Sequence, residues 1–228
     1  ALFMVDLKNA VEEQGFVVAH IKTDSIKIPD ATPEIIQFVM DFGKRYGYTF
    51  EHEATYDKMC LVNDAVYIAK YATEEFCQQT YGYAPKKNKK KSGQWTATGT
   101  QFAVPYVFKT LFTKEPIVFE DLCETKSVTS AFYLDMNENL PEGEHSYQFV
   151  GKVSNFCPIK PGCGGGILTR TAIDKKTGET KYPSATGAKD YRWLEAEVVK
   201  DLGKQNDIDH SYYKTLVDKA VVEIQKYG

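Results

Sequence analysis

The sequence predicts an α+β fold in which helices pack on one face of an antiparallel sheet. Amphipathic helical stretches alternate with short strand-like runs from the start of the chain. Tight polar turns join those runs and suit antiparallel pairing. A composition of 43% hydrophobic and 26% charged residues describes an ordinary folded chain with a core. The 228 residues suffice for one large domain or two small ones. No apolar run approaches the ~20 residues of a spanning helix, and no secretory leader is visible. No membrane partner is expected.

The elements follow in order. Leu2 to Gln14 sets Phe3, Leu7, Ala10 and Val11 on one helical face, and Gly15 is a stop. The chain begins on Ala1 already inside this helix, which suggests a fragment of something longer. Phe16–Ile21 and Ser25–Ile28 read as the strands of a hairpin, with Asp24 near its tip and Pro29 at its end. Thr32-Pro33-Glu34 is a helix start, with a cap, a proline in the first turn and an acid favoured by the helix dipole; the helix runs to about Tyr46 and Gly47. From Tyr48 to Tyr56 the chain alternates, so Thr49, Glu51 and Glu53 share one face while Phe50 and His52 share the other. Met59–Val62 and Val66–Tyr71 are two further strands, and Thr73–Gln79 is a helix.

Beyond that point Trp95–Gly99 reads as a turn, and Val104–Phe112 and Val118–Cys123 as short helices. The polar stretch Asn137 to His145 is the best internal linker. Tyr147–Val153 and Ile167–Thr171 are strands on either side of a Gly- and Pro-rich stretch from Asn155 to Gly166. Lys175–Gly178 is a hairpin turn, and Lys189–Leu202 and Ile208–Tyr227 are amphipathic helices, with Trp193, Leu194, Val198 and Val199 taken as core.

Charge and cysteines narrow the function classes. A net charge of −3 is not the global signature of a nucleic-acid binder. Positive charge is nevertheless concentrated at Lys86, Lys87, Lys89, Lys90 and Lys91, a run that is either a solvated loop or a phosphate contact. Five cysteines without a leader suit free thiols in a reducing cytosol. Cys157 and Cys163 lack the second close pair a zinc site requires and read as small packing residues. The glycines of 160–166 have no Gly-Lys-Ser/Thr ending and precede a strand, so they read as a tight loop or bulge. Lys160 and Arg170 beside them are either phosphate contacts or ordinary loop residues. At the hairpin, a carboxylate on a tight turn is a rigid, partly exposed hard oxygen ligand, which is what Mg²⁺ needs. Asp and Ser are also common turn formers for local reasons.

His20-Ile21-Lys22-Thr23-Asp24-Ser25 resembles the Tyr-Gly-Asp-Thr-Asp-Ser motif of family B DNA polymerases. Phe50–Met59 resembles that family's strand after the palm helix, and Asn63–Lys70 its Lys-Lys-x-Tyr segment. Trp95–Phe102, Phe149–Gly151, Phe156–Gly162 and Tyr191–Glu195 are similar to the carboxy-terminal part of phage-encoded members. The resemblance implies a palm-type antiparallel sheet over 1–72, then a mixed α+β thumb-like region over 73–228 with a sub-boundary near 137–145.

It also implies a chemistry. Asp24 matches the motif's second, metal-binding aspartate, and Glu53 an acid close to the metal site. Mg²⁺ is the expected metal, in a two-metal nucleotidyl transfer. Lys22 stands where the family has its first aspartate and is either a phosphate contact or neutral; Thr23 and Ser25 flank the tip as expected DNA contacts. Tyr67 matches the primer-side tyrosine, and Lys70 supplies charge that Asp64, Ala65 and Val66 lack. The family's other metal aspartate and its nucleotide-binding lysine have no match, so the isolated chain is expected to be inactive. The expected partners are primer-template DNA and deoxynucleotide triphosphates, for a monomer in a bacterial host's cytoplasm. The alternatives are a non-catalytic DNA-binding or interaction module derived from a polymerase, and a phage protein of merely similar architecture.

Overall fold

A computed structural model describes residues 2–91, 93–137, 140–141 and 144–226. Helices and antiparallel sheets are both present, so the class is α+β. The chain divides into two units, Ala1–Thr96 and Ala97–Gly228. Residue 72 therefore lies inside the first unit. Among the described residues no helix is long and apolar enough to cross a membrane.

The first unit begins with α1 (Leu2–Glu13), followed by the hairpin β1 (His20–Ile21) and β2 (Ile26–Lys27) and by α2 (Pro33–Arg45). Thr32 caps α2 through its side chain, Pro33 sits in the first turn, and Gly47 takes a φ of +80° just beyond the end, as the local sequence dictates. Met4, Leu7 and Val11 of α1 pack with Ile35, Val39 and Phe42 of α2, and Ile21 and Ile26 of the hairpin lean on that core. The second layer is a sheet of β3 (Tyr56–Leu61), β4 (Tyr67–Tyr71) and β5 (Trp95–Ala97), with β4 in the middle. The expected turn at Trp95 is thus a strand. Conversely, 48–55 forms no ladder, although the alternation survives in its burial: Glu51 and Glu53 are exposed, Phe50 and His52 half-buried. After β4, Thr73 caps α3 (Glu74–Tyr81).

The second unit is built on a four-stranded sheet. Its strands are β6 (Glu124–Asp135), β7 (Tyr147–Ile159), β8 (Ile167–Arg170) and β11 (Arg192–Glu195), in the order β11-β7-β6-β8. The small hairpin β9 (Ala172–Ile173) and β10 (Thr180–Lys181) turns at Lys175–Gly178 as expected. The helices are α4 (Pro105–Phe112), α5 (Ala196–Asp201) and α6 (His210–Gln225). Trp193, Phe132, Phe156, Leu168 and Tyr213 are fully buried. The Tyr213 hydroxyl donates to the Leu122 carbonyl at 2.6 Å, and the Trp193 Nε1–H to that of Ala188 at 2.9 Å.

Three expectations are corrected here. The stretch 137–145 joins β6 to β7, which are neighbours in one sheet, so it connects a hairpin and does not divide domains. Within Asn155–Gly166, residues 155–159 continue β7. Lys189–Leu202 is not one helix. Arg192–Glu195 pairs with β7, and the helix starts only at Ala196.

Gly165 and Gly166 serve packing, whereas Gly162 and Gly164 take positive φ. A Cβ on Gly166 would lie 2.6 Å from Met136 Sδ and 2.8 Å from the Asp135 carbonyl oxygen, where Gly166 bridges to Trp193. Gly166→Ala should therefore destabilise the protein by about 1–3 kcal/mol through overpacking. A denaturation midpoint unchanged from wild type would contradict this.

Candidate functional site

The hairpin register divides its side chains between two faces. His20 pairs with Lys27 and Ile21 with Ile26, and the Lys22 N–H donates to the Ser25 carbonyl at 2.8 Å. A two-residue turn, Thr23-Asp24, remains at the tip, and both of its residues are exposed. Ile21 and Ile26 face the helices, so His20, Lys22, Ser25 and Lys27 share the opposite face. That face meets β4: Lys27 Nζ lies 4.9 Å and Lys22 Nζ 5.8 Å from the ring centroid of Tyr67. The His20 Nε2–H donates to the Asp64 carbonyl at 2.8 Å, which ties the hairpin to the β3–β4 turn.

Asp24 opens onto a groove of about 1470 Å³ within the first unit. Lys22, Thr23, Ser25, Glu53, Tyr67 and Lys70 line it too, so the structure gathers most of the residues singled out in this half of the chain. Tyr67 is buried at 9% exposure, and its hydroxyl lies 3.5 Å from that of Tyr56. Burial, then the Tyr67 hydroxyl, pushes the Tyr56 phenol well above its ordinary range, so it stays neutral. Burial lowers the His52 pKa, and its ring lies between the Tyr83 and Thr55 hydroxyls at 2.9 and 2.8 Å.

The groove is not a cationic funnel. Its described lining carries Lys22, Lys27, Lys58 and Lys70 against Asp24, Asp30, Glu51, Glu53 and Asp57. Lys70 lies 3.7 Å from Asp57, so its charge is partly compensated. Glu53 accepts from Lys87 Nζ at 2.6 Å, and this bond raises the lysine's pKa. The acid expected beside the metal is therefore engaged by the lysine run. Among the described residues no three His, Cys, Asp or Glu side chains are arranged to hold a metal ion. These residues alone do not fit a magnesium cage: Asp24 offers one hard ligand, and Mg²⁺ needs near-octahedral oxygen coordination.

The lysine run is anchored. Asn88 is fully buried. Its Oδ1 accepts from the Thr55 N–H at 2.8 Å, and its Nδ2 donates to the Thr55 and Ala72 carbonyls at 2.8 and 2.9 Å. Lys86, Lys87, Lys89 and Lys90 are exposed around it, while Lys91 donates to Gln94 and lies 5.5 Å from the Tyr71 ring. This seats the run against 53–55, which forms part of the groove wall.

Lys160 and Arg170 belong to the second unit. Lys160 Nζ donates to the Asn206 carbonyl at 2.8 Å, a structural use, and Arg170 lies half-buried on β8 opposite Phe132. Cys157 is buried, with its Sγ 3.9 Å from that of Cys123, and all five cysteines are free thiols. Lys27 and Asn88 escaped the reading of the sequence. Lys27 was legible in principle, because fixing the turn at Thr23-Asp24 fixes the register that sets it opposite His20. Asn88 carries no local signal inside a lysine run. No protein family, curated protein or solved structure matches this chain, and the site stands on its own geometry.

Proposed function

We propose that the chain is the part of a template-directed family B DNA polymerase that receives the primer end, in the groove between the β1–β2 hairpin and β4. The observation that carries this reading is the exposed Asp24 carboxylate at a two-residue turn, in one groove with Tyr67 and with Lys22 and Lys27 near its ring. Ammonium groups and an exposed carboxylate suit a strand end, which offers phosphate and a terminal hydroxyl. Magnesium and deoxynucleotide triphosphates enter as partners of Asp24 only together with carboxylates from another segment.

The experiment compares a duplex carrying a recessed 3′ end with a blunt duplex of equal length, by fluorescence anisotropy. The recessed end is expected to bind more tightly by about fivefold, or ~1 kcal/mol. Equal affinity would remove end recognition. A second prediction concerns the lysine run. Replacing Lys86, Lys89 and Lys90 with Ala should lower the slope of log K against log salt by about 0.9 per lost duplex phosphate contact. An unchanged slope would make the run a solvent-facing structural loop.

A second reading is a DNA-binding module without catalysis. Lys22 in the place of an acid, and the engagement of Glu53 by Lys87, favour it. Both readings share the strand end as ligand and differ in whether Asp24 is needed for extension.

A further inference from the structure

We propose that the hairpin face turned toward Tyr67 is an oxyanion site for a phosphate group, held by Lys22 and Lys27 with the Ser25 hydroxyl beside them. Its assignment to a strand phosphate rests on the function proposed above; the anion site itself rests on geometry alone. Lys22 lies opposite Ser25 in the hairpin, and Ser25 and Lys27 are two residues apart on one strand. The two lysines are therefore diagonal neighbours on one face, about 7–8 Å apart at their backbones. Both ammonium groups lie near one tyrosine ring, at 4.9 and 5.8 Å from its centroid.

Two like charges on one hairpin face repel, and a counter-ion between them relieves the repulsion. Among the described residues no carboxylate forms an ion pair with either lysine, although other lysines of the same unit, Lys70 and Lys87, have acidic partners. Both lysines are half-buried, so their charges are less screened than those of a free surface lysine. The demand for a counter-ion on this face is thus unmet among the described residues. A phosphate group satisfies it, because its oxygens can accept from two ammonium groups and a hydroxyl together.

The test uses the full chain in buffer containing a chelator, with two probes. Inorganic pyrophosphate is titrated by calorimetry, and the recessed-end duplex by anisotropy. Lys22→Met and Lys27→Met keep the apolar stem over Tyr67 and remove the charge, and a thermal melt checks that the fold is retained. Wild type is expected to bind pyrophosphate saturably, and the double variant about tenfold more weakly or worse. Loss in both arms supports a strand phosphate as the occupant. Loss of pyrophosphate binding alone supports a free phosphate compound in the same site. Pyrophosphate affinity unchanged in a folded double variant overturns the proposal. If wild type binds pyrophosphate in this way yet does not distinguish recessed from blunt duplex, the anion site stands and the end-binding function fails.

Discussion

Asn88→Ala is expected to destabilise the first unit by about 2–4 kcal/mol, because the Thr55 N–H and the Ala72 carbonyl lose a buried partner and each unsatisfied group costs ~1–3 kcal/mol. The Thr55 N–H and the Ala72 carbonyl end on this one fully buried amide, while the Thr55 carbonyl also accepts from the Ala72 N–H at 3.0 Å. Water reaches a site opened by truncation at some of these groups, so the cost stays below the full sum. Against a total stability of about 5–15 kcal/mol the loss is large. Asn88→Asp is the informative companion. It keeps an acceptor for the Thr55 N–H but turns a carboxylate oxygen toward two carbonyls, so it should be at least as damaging. Chemical denaturation measures both. A shift under about 1 kcal/mol for Asn88→Ala would mean that the lysine stretch is held by other contacts. The same variant should loosen the Lys87–Glu53 pair, since Lys87 also donates its backbone N–H to the Glu53 carbonyl at 3.2 Å.

The second large effect concerns chemistry. In the complete polymerase of the proposed function, Asp24→Asn should lower primer extension by about 10³-fold, the equivalent of ~4 kcal/mol of transition-state stabilisation. Affinity for the recessed duplex without divalent ions should be retained or rise. The described groove lining already carries five carboxylates against four lysines, so removing one negative charge eases the approach of phosphate. This split between rate and binding separates the two readings. Extension by the variant at the wild-type rate would leave only the binding module. A matching fall in duplex binding would point to a structural role for the tip. Such a role is not expected, because Asp24 is exposed.

Local chemistry made much of the first unit legible. Thr32 and Thr73 cap helices through their own side chains, Gly47 ends one, and Thr23-Asp24 closes a two-residue turn. Each feature depends on contacts within a few residues, so the sequence states it directly. Asp24 at the tip follows from the same logic. The strands of the second unit were harder to read. Trp193, Leu194, Val198 and Val199 repeat at helical spacing, yet pairing of Arg192–Glu195 with β7 overrides that period for the first two. The long strand β6 was not read at all. Its ladder partners are residues 147–156, across a hairpin connection, and 167–170, beyond that strand.

By itself the sequence determined the class, the caps, the hairpin and the exposed acid at its tip, because short-range sterics and hydrogen bonding fix those. Only the tertiary structure decided which charges remain available. It set Lys87 on Glu53 and Lys70 near Asp57, and placed Lys22 and Lys27 near Tyr67. Ion pairing falls off with distance through space and is indifferent to distance along the chain, so no local pattern encodes it.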